Sequence, residues 1–276
     1  MVEVLEEKRV FSGRQIRYQH DSKVLNCQMV YSLFMPNIGE DETVPLIWWL
    51  SGLTCNDQNF ATKGQFQKYA QAHKVAIVIP DTSPRGDAIA DDEAFDLGQG
   101  ASFYLNATQA PWKDHFQMYD YLTEELSELV KSQLPQFNGK EAIMGHSMGG
   151  YGALMIGLRQ PNRFQAISAF APITDLTNVP WGKKILSAYL GTDQKVWETV
   201  DPVKLLQQDS VPPILITQGT ADEFYPEQLQ ETAFLDAAEK SHATVEYHKV
   251  EGYDHSYYTI ATFIEEHIDF LSQHLS

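Results

Sequence analysis

Basic residues are scarce in this chain: 20 Lys and Arg face 37 Asp and Glu, for a formal net charge of −17. Such a balance opposes nonspecific attraction to nucleic-acid phosphates or to an anionic membrane. Cysteine is scarcer still. Cys27 and Cys55 are the only two, too few for a disulfide framework at this length and without metal-ligand spacing, so both are expected to be free thiols. No apolar run approaches membrane-spanning length, and residues 1–7 have neither the basic start nor the apolar core of a secretion signal. The expected location is the cytoplasm, where the glycosylation pattern Asn106-Ala107-Thr108 meets no modifying machinery. Repeats, low-complexity segments and linkers are missing as well, so residues 1–276 are expected to form one domain.

What is present is a 43% hydrophobic composition, enough for a large core, arranged in short apolar runs. The first 35 residues carry β-rich pieces such as Gln28 to Phe34, with turn signals at Ser12-Gly13 and Asp21-Ser22, which suggests antiparallel strands opening the fold. From Leu46 onward, apolar runs at 46–50, 75–79, 142–144, 166–170, 214–217 and 245–250 alternate with helical patterns. That alternation indicates an α/β protein with a mostly parallel central sheet and helices on both faces. Helices are predicted at about 115–134, 228–240 and 260–271 from apolar recurrence at helical spacing. The Gly-, Asp- and Pro-rich stretch from Asp81 to Trp112 is long for a connection, and loops of that kind often carry function.

One pentapeptide concentrates the chemistry. Gly145-His146-Ser147-Met148-Gly149 lies between a short buried strand pattern and a helical one. Glycines around a serine there let the backbone crowd a sharp turn, which pushes the hydroxyl out above the sheet edge as a nucleophile. The competing reading is a tight packing turn with a structural serine.

A serine hydroxyl needs a base to take its proton and a carboxylate to orient that base, in the chain order Ser, acid, His for this fold. The acid candidates follow the strand at 214–217. Asp222 is preferred, with Glu223 as its neighbour. His255 is the candidate base, because it follows the last strand and a glycine turn and precedes the final helix. His146 is read as packing the elbow. Oxyanion donors are expected from the backbone N–H of Met148, next after the nucleophile, and of Leu53, in the loop after the strand at 46–50. All these groups come from the chain, so no metal or organic cofactor is expected.

The motifs Ser51-Gly52-Leu53-Thr54-Cys55, Pro80-Asp81-Thr82-Ser83-Pro84-Arg85-Gly86, Phe103 to Gln109, Gly145 to Gly150, Pro180-Trp181-Gly182 and Gly252 to Tyr258, in this order, resemble the S-formylglutathione hydrolase (esterase D) family over essentially the whole chain. The resemblance implies an α/β-hydrolase fold and a cytoplasmic serine hydrolase that splits S-formylglutathione into glutathione and formate in formaldehyde detoxification. It places the family's triad on Ser147, Asp222 and His255 and its oxyanion donors on Leu53 and Met148. It also implies that Cys55 matches a cysteine near the site that confers sensitivity to thiol reagents. Asn106 where an aspartate is usual, Thr220-Ala221 before the acid, and Gly64-Gln65 depart from the family pattern and bear on substrate preference.

Glutathione brings carboxylates to an acidic protein, so local cations are needed, and Lys63, Arg85, Lys183 and Lys184 are the candidates. Trp181, read as part of a loop, is a candidate wall of the acyl pocket, with burial in the core as the alternative. Competing functions are a broad short-chain carboxylesterase, an acyltransferase like the mycolyltransferases of this fold, and a noncatalytic scaffold. Small molecules are the expected partners, with neither nucleic acid nor membrane. A homodimer is the commonest arrangement among symmetric enzymes, but no residue pattern here specifies it.

Overall fold

A computed structural model of the protein describes residues 2–276. Nine strands form one sheet: β1 (Val2–Val10), β2 (Gly13–Ser22), β3 (Cys27–Met35), β4 (Val44–Leu50), β5 (Ala76–Pro80), β6 (Phe137–His146), β7 (Phe164–Phe170), β8 (Ile214–Gly219) and β9 (Val245–Val250). Their order is β1-β2-β3-β5-β4-β6-β7-β8-β9. β1, β2 and β3 pair antiparallel, β3 meets β5 antiparallel, and every pairing from β5 across to β9 is parallel.

The parallel strands read as continuous apolar runs because both of their faces are covered. All seven residues of β4 are buried. Trp48 and Leu50 face a core shared with Val78, Ile143 and the helix Met148–Arg159, while Ile47 and Trp49 face a second core with Ile77, Ile79 and the helix Tyr257–Leu275. The two helices therefore pack on opposite faces. No helix among the described residues is long and apolar enough to cross a membrane.

Several boundaries differ from the sequence reading, each through a tertiary contact. The turn expected at Asp21-Ser22 falls at Lys23–Asn26, because Ser22 Oγ and the Lys23 and Val24 amides all donate to the Glu125 carboxylate. The helix expected from about 115 starts at Met118 and carries a π turn over Tyr121–Glu125. Upstream, His115 Nδ1 is held 2.9 Å from the Leu25 carbonyl, away from a helical path. The predicted helix 228–240 is two pieces, Tyr225–Gln228 and Thr232–Ser241. Pro180-Trp181-Gly182 is not a loop but the first turn of a helix, Pro180–Leu190, with proline in the first turn, where its missing N–H costs nothing.

Candidate active site

Chain order reverses beside β4: β5 lies on one side of it and β6 on the other. In an open parallel sheet such a switch point splays the loops leaving neighbouring strands and opens a crevice at their carboxyl ends. The Ser51–Cys55 segment leaves β4 there and Ser147 leaves β6, with Leu50 and Gly145 paired in register immediately before them.

The elbow at Ser147 is built by close approach. Its φ of 58° and ψ of −119° lie where side chains other than glycine are strained. Two bonds fix it: Ser147 N–H donates to Phe170 O at 2.9 Å, and Tyr151 N–H donates to Ser147 O at 2.9 Å. A Cβ on Gly145 would meet Gly149 O at 2.2 Å, and one on Gly149 would meet Leu50 O at 2.0 Å. Only glycines let the helix begin this close to the sheet. Met148 opens that helix, so its N–H has no intrahelical partner and points with the helix dipole toward the serine end.

Asp222 follows β8 and His255 follows β9. The Asp222 side chain is fully buried, and its Oδ2 lies 2.6 Å from His255 Nδ1. It also accepts from the Phe224 amide at 2.9 Å and from Gln218 Nε2 at 3.1 Å. Glu223 is exposed and makes none of these contacts. With Nδ1 of His255 turned to the carboxylate, Nε2 is the nitrogen left for a hydroxyl.

Ser147, His255, His146, Gly52, Leu53, Thr54, Cys55, Phe95, Trp181, Phe224, Ser256 and Tyr257 line one cavity of about 250 Å³. Gly52 presses the first of these loops onto the elbow, since a Cβ there would lie 3.2 Å from Ser147 Cβ. Tyr104 props the loop from behind, its hydroxyl donating to Ser51 O at 2.7 Å. One wall is aromatic: the Trp181 and Phe224 rings lie 5.0 Å apart, Phe95 sits 6.4 Å from Trp181, and Phe224 stands edge-on to His255 at 4.9 Å. Burial pushes the Cys55 thiol pKa up, against a smaller pull from the Tyr257 hydroxyl, so Cys55 stays a neutral thiol at neutral pH.

Of the cations expected near the site, Arg85 is not on the cavity wall. Its Nε donates to Asp81 at 3.0 Å and its Nη2 to Cys55 O at 2.9 Å, which fastens the loop from outside. Lys184 pairs with Asp96. Lys63 is not on the cavity wall either, but its Nζ lies 5.8 Å from the ring centroid of Tyr257, which is. Among the described residues, no group of three His, Cys, Asp or Glu side chains is placed to hold a metal ion.

Sequence reasoning missed Phe95, Phe224, Tyr257 and Gln218. Phe224 and Gln218 flank Asp222 closely enough to have been suspected. Phe95 lies in an irregular loop with no pattern to mark it.

The order of strands, the crossing helices and the strained turn after β6 define an α/β-hydrolase. The chain matches the Esterase family model, described as "Putative esterase", over residues 22–270. It is similar to an S-formylglutathione hydrolase from Agrobacterium tumefaciens, with 37% identity over 99% of each chain and a TM-score of 0.96. The chain belongs to the esterase family of α/β-hydrolase enzymes and, within it, to the S-formylglutathione hydrolases. Two more distant structures share the fold. S-formylglutathione hydrolase FrmB from Staphylococcus aureus is 21% identical over 94% of this chain and 98% of its own, with a TM-score of 0.72. The ferulic acid esterase AmCE1/Fae1A from Anaeromyces mucronatus is 16% identical over 99% of this chain and 93% of its own, with a TM-score of 0.63.

Proposed function

We propose that this enzyme hydrolyses S-formylglutathione to glutathione and formate through a formyl-Ser147 intermediate. The observation that carries the reading is that His255, whose Nδ1 lies 2.6 Å from buried Asp222, lines the same cavity as Ser147. The 37% identity to the Agrobacterium tumefaciens enzyme supports the substrate.

His255 Nε2 takes the Ser147 proton as Oγ attacks the thioester carbonyl, and Asp222 holds the imidazole in the accepting tautomer and stabilises its cation. The oxyanion is received by the N–H groups of Met148 and Leu53. Collapse breaks the C–S bond, and glutathione leaves as the thiol after taking the His255 proton, or as a thiolate, which needs little acid assistance, with the His255 proton then passing to solvent; either way the imidazole is neutral again. His255 then draws a proton from water, whose oxygen attacks the formyl ester, and returns it to Ser147 as formate departs. Cys55 and Trp181 both form part of the pocket wall in this reading. Lys63 attracts a glutathione carboxylate at the rim, and Arg85 acts by holding the Cys55 loop in place. The cellular role that follows is cytoplasmic formaldehyde detoxification.

One observation favours a broader short-chain carboxylesterase: the aromatic wall of Phe95, Trp181 and Phe224 offers apolar surface that a formyl group does not use. Measuring kcat/KM for S-formylglutathione, S-acetylglutathione and p-nitrophenyl acetate separates the two. The proposal expects S-formylglutathione to lead, with kcat reduced on the order of a millionfold in Ser147→Ala. A clear preference for the aryl ester establishes the carboxylesterase instead.

A further inference from the structure

The triad asks for more than a carboxylate near the base: one oxygen of Asp222 must stay aimed at His255 Nδ1 while the imidazole gains and loses its proton. The main chain already fixes how far apart the acid and base loops lie. Ala221 N–H donates to Tyr253 O at 2.9 Å, and Gly252 N–H donates to Thr220 Oγ1 at 2.9 Å. At Gly219 the loops cross so closely that a Cβ would meet Tyr253 O at 2.1 Å. What these contacts leave free is rotation of the carboxylate about Cβ–Cγ, a terminal torsion with only a broad preference. The Phe224 N–H holds Oδ1 at 2.9 Å, but one bond does not fix a plane.

Gln218 supplies a second bond that does not depend on the imidazole. It sits near the end of β8 and is 1% exposed. Its Nε2 donates to Gly219 O and to Asp222 Oδ2, both at 3.1 Å. These two acceptors settle the orientation of the amide, because the flipped group would set Oε1 against both of them. Oε1 is then left buried without a partner among the described residues. An acceptor in that state opposes folding, and a methionine or leucine would fill the space without it. Packing alone therefore does not account for a glutamine at this position.

We infer that Gln218 is a positioning residue for the catalytic acid: it donates to Oδ2 while the Phe224 N–H holds Oδ1, and so locks the carboxylate plane with Oδ2 on His255 Nδ1. The inference rests on the assignment of Asp222 as the acid of the triad. The chemistry calls for a donor without charge. A lysine or arginine reaching the same oxygen would set a full positive charge beside the imidazolium that forms as Ser147 attacks, and so oppose the step. An amide tied to Gly219 O aims its N–H and adds no charge.

The test is a double-mutant cycle with p-nitrophenyl acetate. Gln218→Met keeps the length of the side chain and removes the donor. It is expected to lower kcat at least about tenfold with KM unchanged, an approximately 1 Å misplacement of a reacting group costing about a hundredfold. In an Asp222→Ala background the same substitution is expected to cost nothing further, because its effect passes through the carboxylate. A glutamine that serves packing alone would instead show a lower melting temperature with kcat per folded enzyme unchanged. Should the methionine variant fail to fold, Gln218→Leu in both backgrounds gives the same comparison. The inference is overturned by a smaller loss of kcat, by a loss that appears in KM instead, or by an equal fold loss in the Asp222→Ala background. If Asp222→Ala is itself as active as the wild type, it is the assignment of the acid that has failed.

Discussion

Replacing Asp222 by asparagine isolates the role of the carboxylate, because the side chain keeps its shape while one oxygen becomes a donor. In the wild type, Oδ1 accepts from the Phe224 amide at 2.9 Å, and Oδ2 accepts from Gln218 Nε2 at 3.1 Å and faces His255 Nδ1 at 2.6 Å. An asparagine that preserves the Phe224 bond places its NH₂ against both the Gln218 amide, itself a donor, and His255 Nδ1. The imidazole can satisfy that NH₂ only by presenting a bare Nδ1 and carrying its proton on Nε2, the nitrogen that must accept from Ser147. The flipped amide sets its NH₂ against the Phe224 N–H instead, which sacrifices a bond inside a fully buried pocket. The first arrangement is favoured, and it is the inactive tautomer. The expected fall in kcat is about 10⁴-fold, equivalent to about 5 kcal/mol of lost transition-state stabilisation. Steady-state hydrolysis of S-formylglutathione and of p-nitrophenyl acetate should show the same factor, since the defect precedes any difference between leaving groups. Activity within about tenfold of wild type on both substrates refutes the reasoning, because oriented base catalysis alone contributes at least about a hundredfold.

Three further outcomes are expected. His267 is buried between Ser168 Oγ at 2.8 Å and Thr217 Oγ1 at 2.9 Å, and burial lowers its pKa to about 3. An unfolded histidine titrates near 6.5, so as pH falls from about 6.5 toward 3 the unfolded chain gains a proton that the native state refuses, and stability drops by about 1.4 kcal/mol per pH unit. His267→Gln should therefore lose about 2 kcal/mol less than wild type between pH 6.5 and 5 in denaturant titrations, and equal losses count against the assignment. Glu141 accepts from Trp48 Nε1 at 2.8 Å and Arg163 Nη2 at 2.8 Å, and pairs with Lys131 at 2.6 Å. Glu141→Ala strands a largely buried guanidinium and should cost about 3–5 kcal/mol in unfolding free energy; the folded enzyme should keep its kcat, since none of these side chains lines the cavity at Ser147. Gly149→Ala forces a Cβ to 2.0 Å from Leu50 O, and calorimetry should show a destabilisation of about 3 kcal/mol or more; an unchanged melting temperature contradicts the close crossing of helix and strand.

Where the sequence spoke clearly, a single local cause produced the signal. The parallel strands were legible because burial on both faces leaves uninterrupted apolar runs, as in Leu46 to Leu50. The elbow was legible because a close helix crossing tolerates only glycine at 145 and 149. The meeting of Asp222 and His255 was legible because loops leaving neighbouring parallel strands gather on one side of the sheet, and these two follow β8 and β9. What escaped depends on partners remote in sequence. Ser22 and Glu125 are 103 residues apart yet bonded, which moves a turn and accompanies a π turn that helical periodicity does not encode. Arg85 looked like a free cation until Asp81 and the Cys55 carbonyl were seen to occupy it. Phe95 reaches the cavity from a loop whose path is set by bonds such as Gly100 N–H to Ser83 Oγ at 2.8 Å, and no periodic pattern precedes such a path.

The central claim is that Ser147 is the nucleophile and that His255 activates it. Labelling the intact enzyme with a fluorophosphonate, followed by mass mapping of the modified peptide, tests both halves together. The account expects one label per chain on Ser147, and labelling slowed by orders of magnitude in His255→Ala. A label on another residue, or an undiminished rate in the His255 variant, contradicts it.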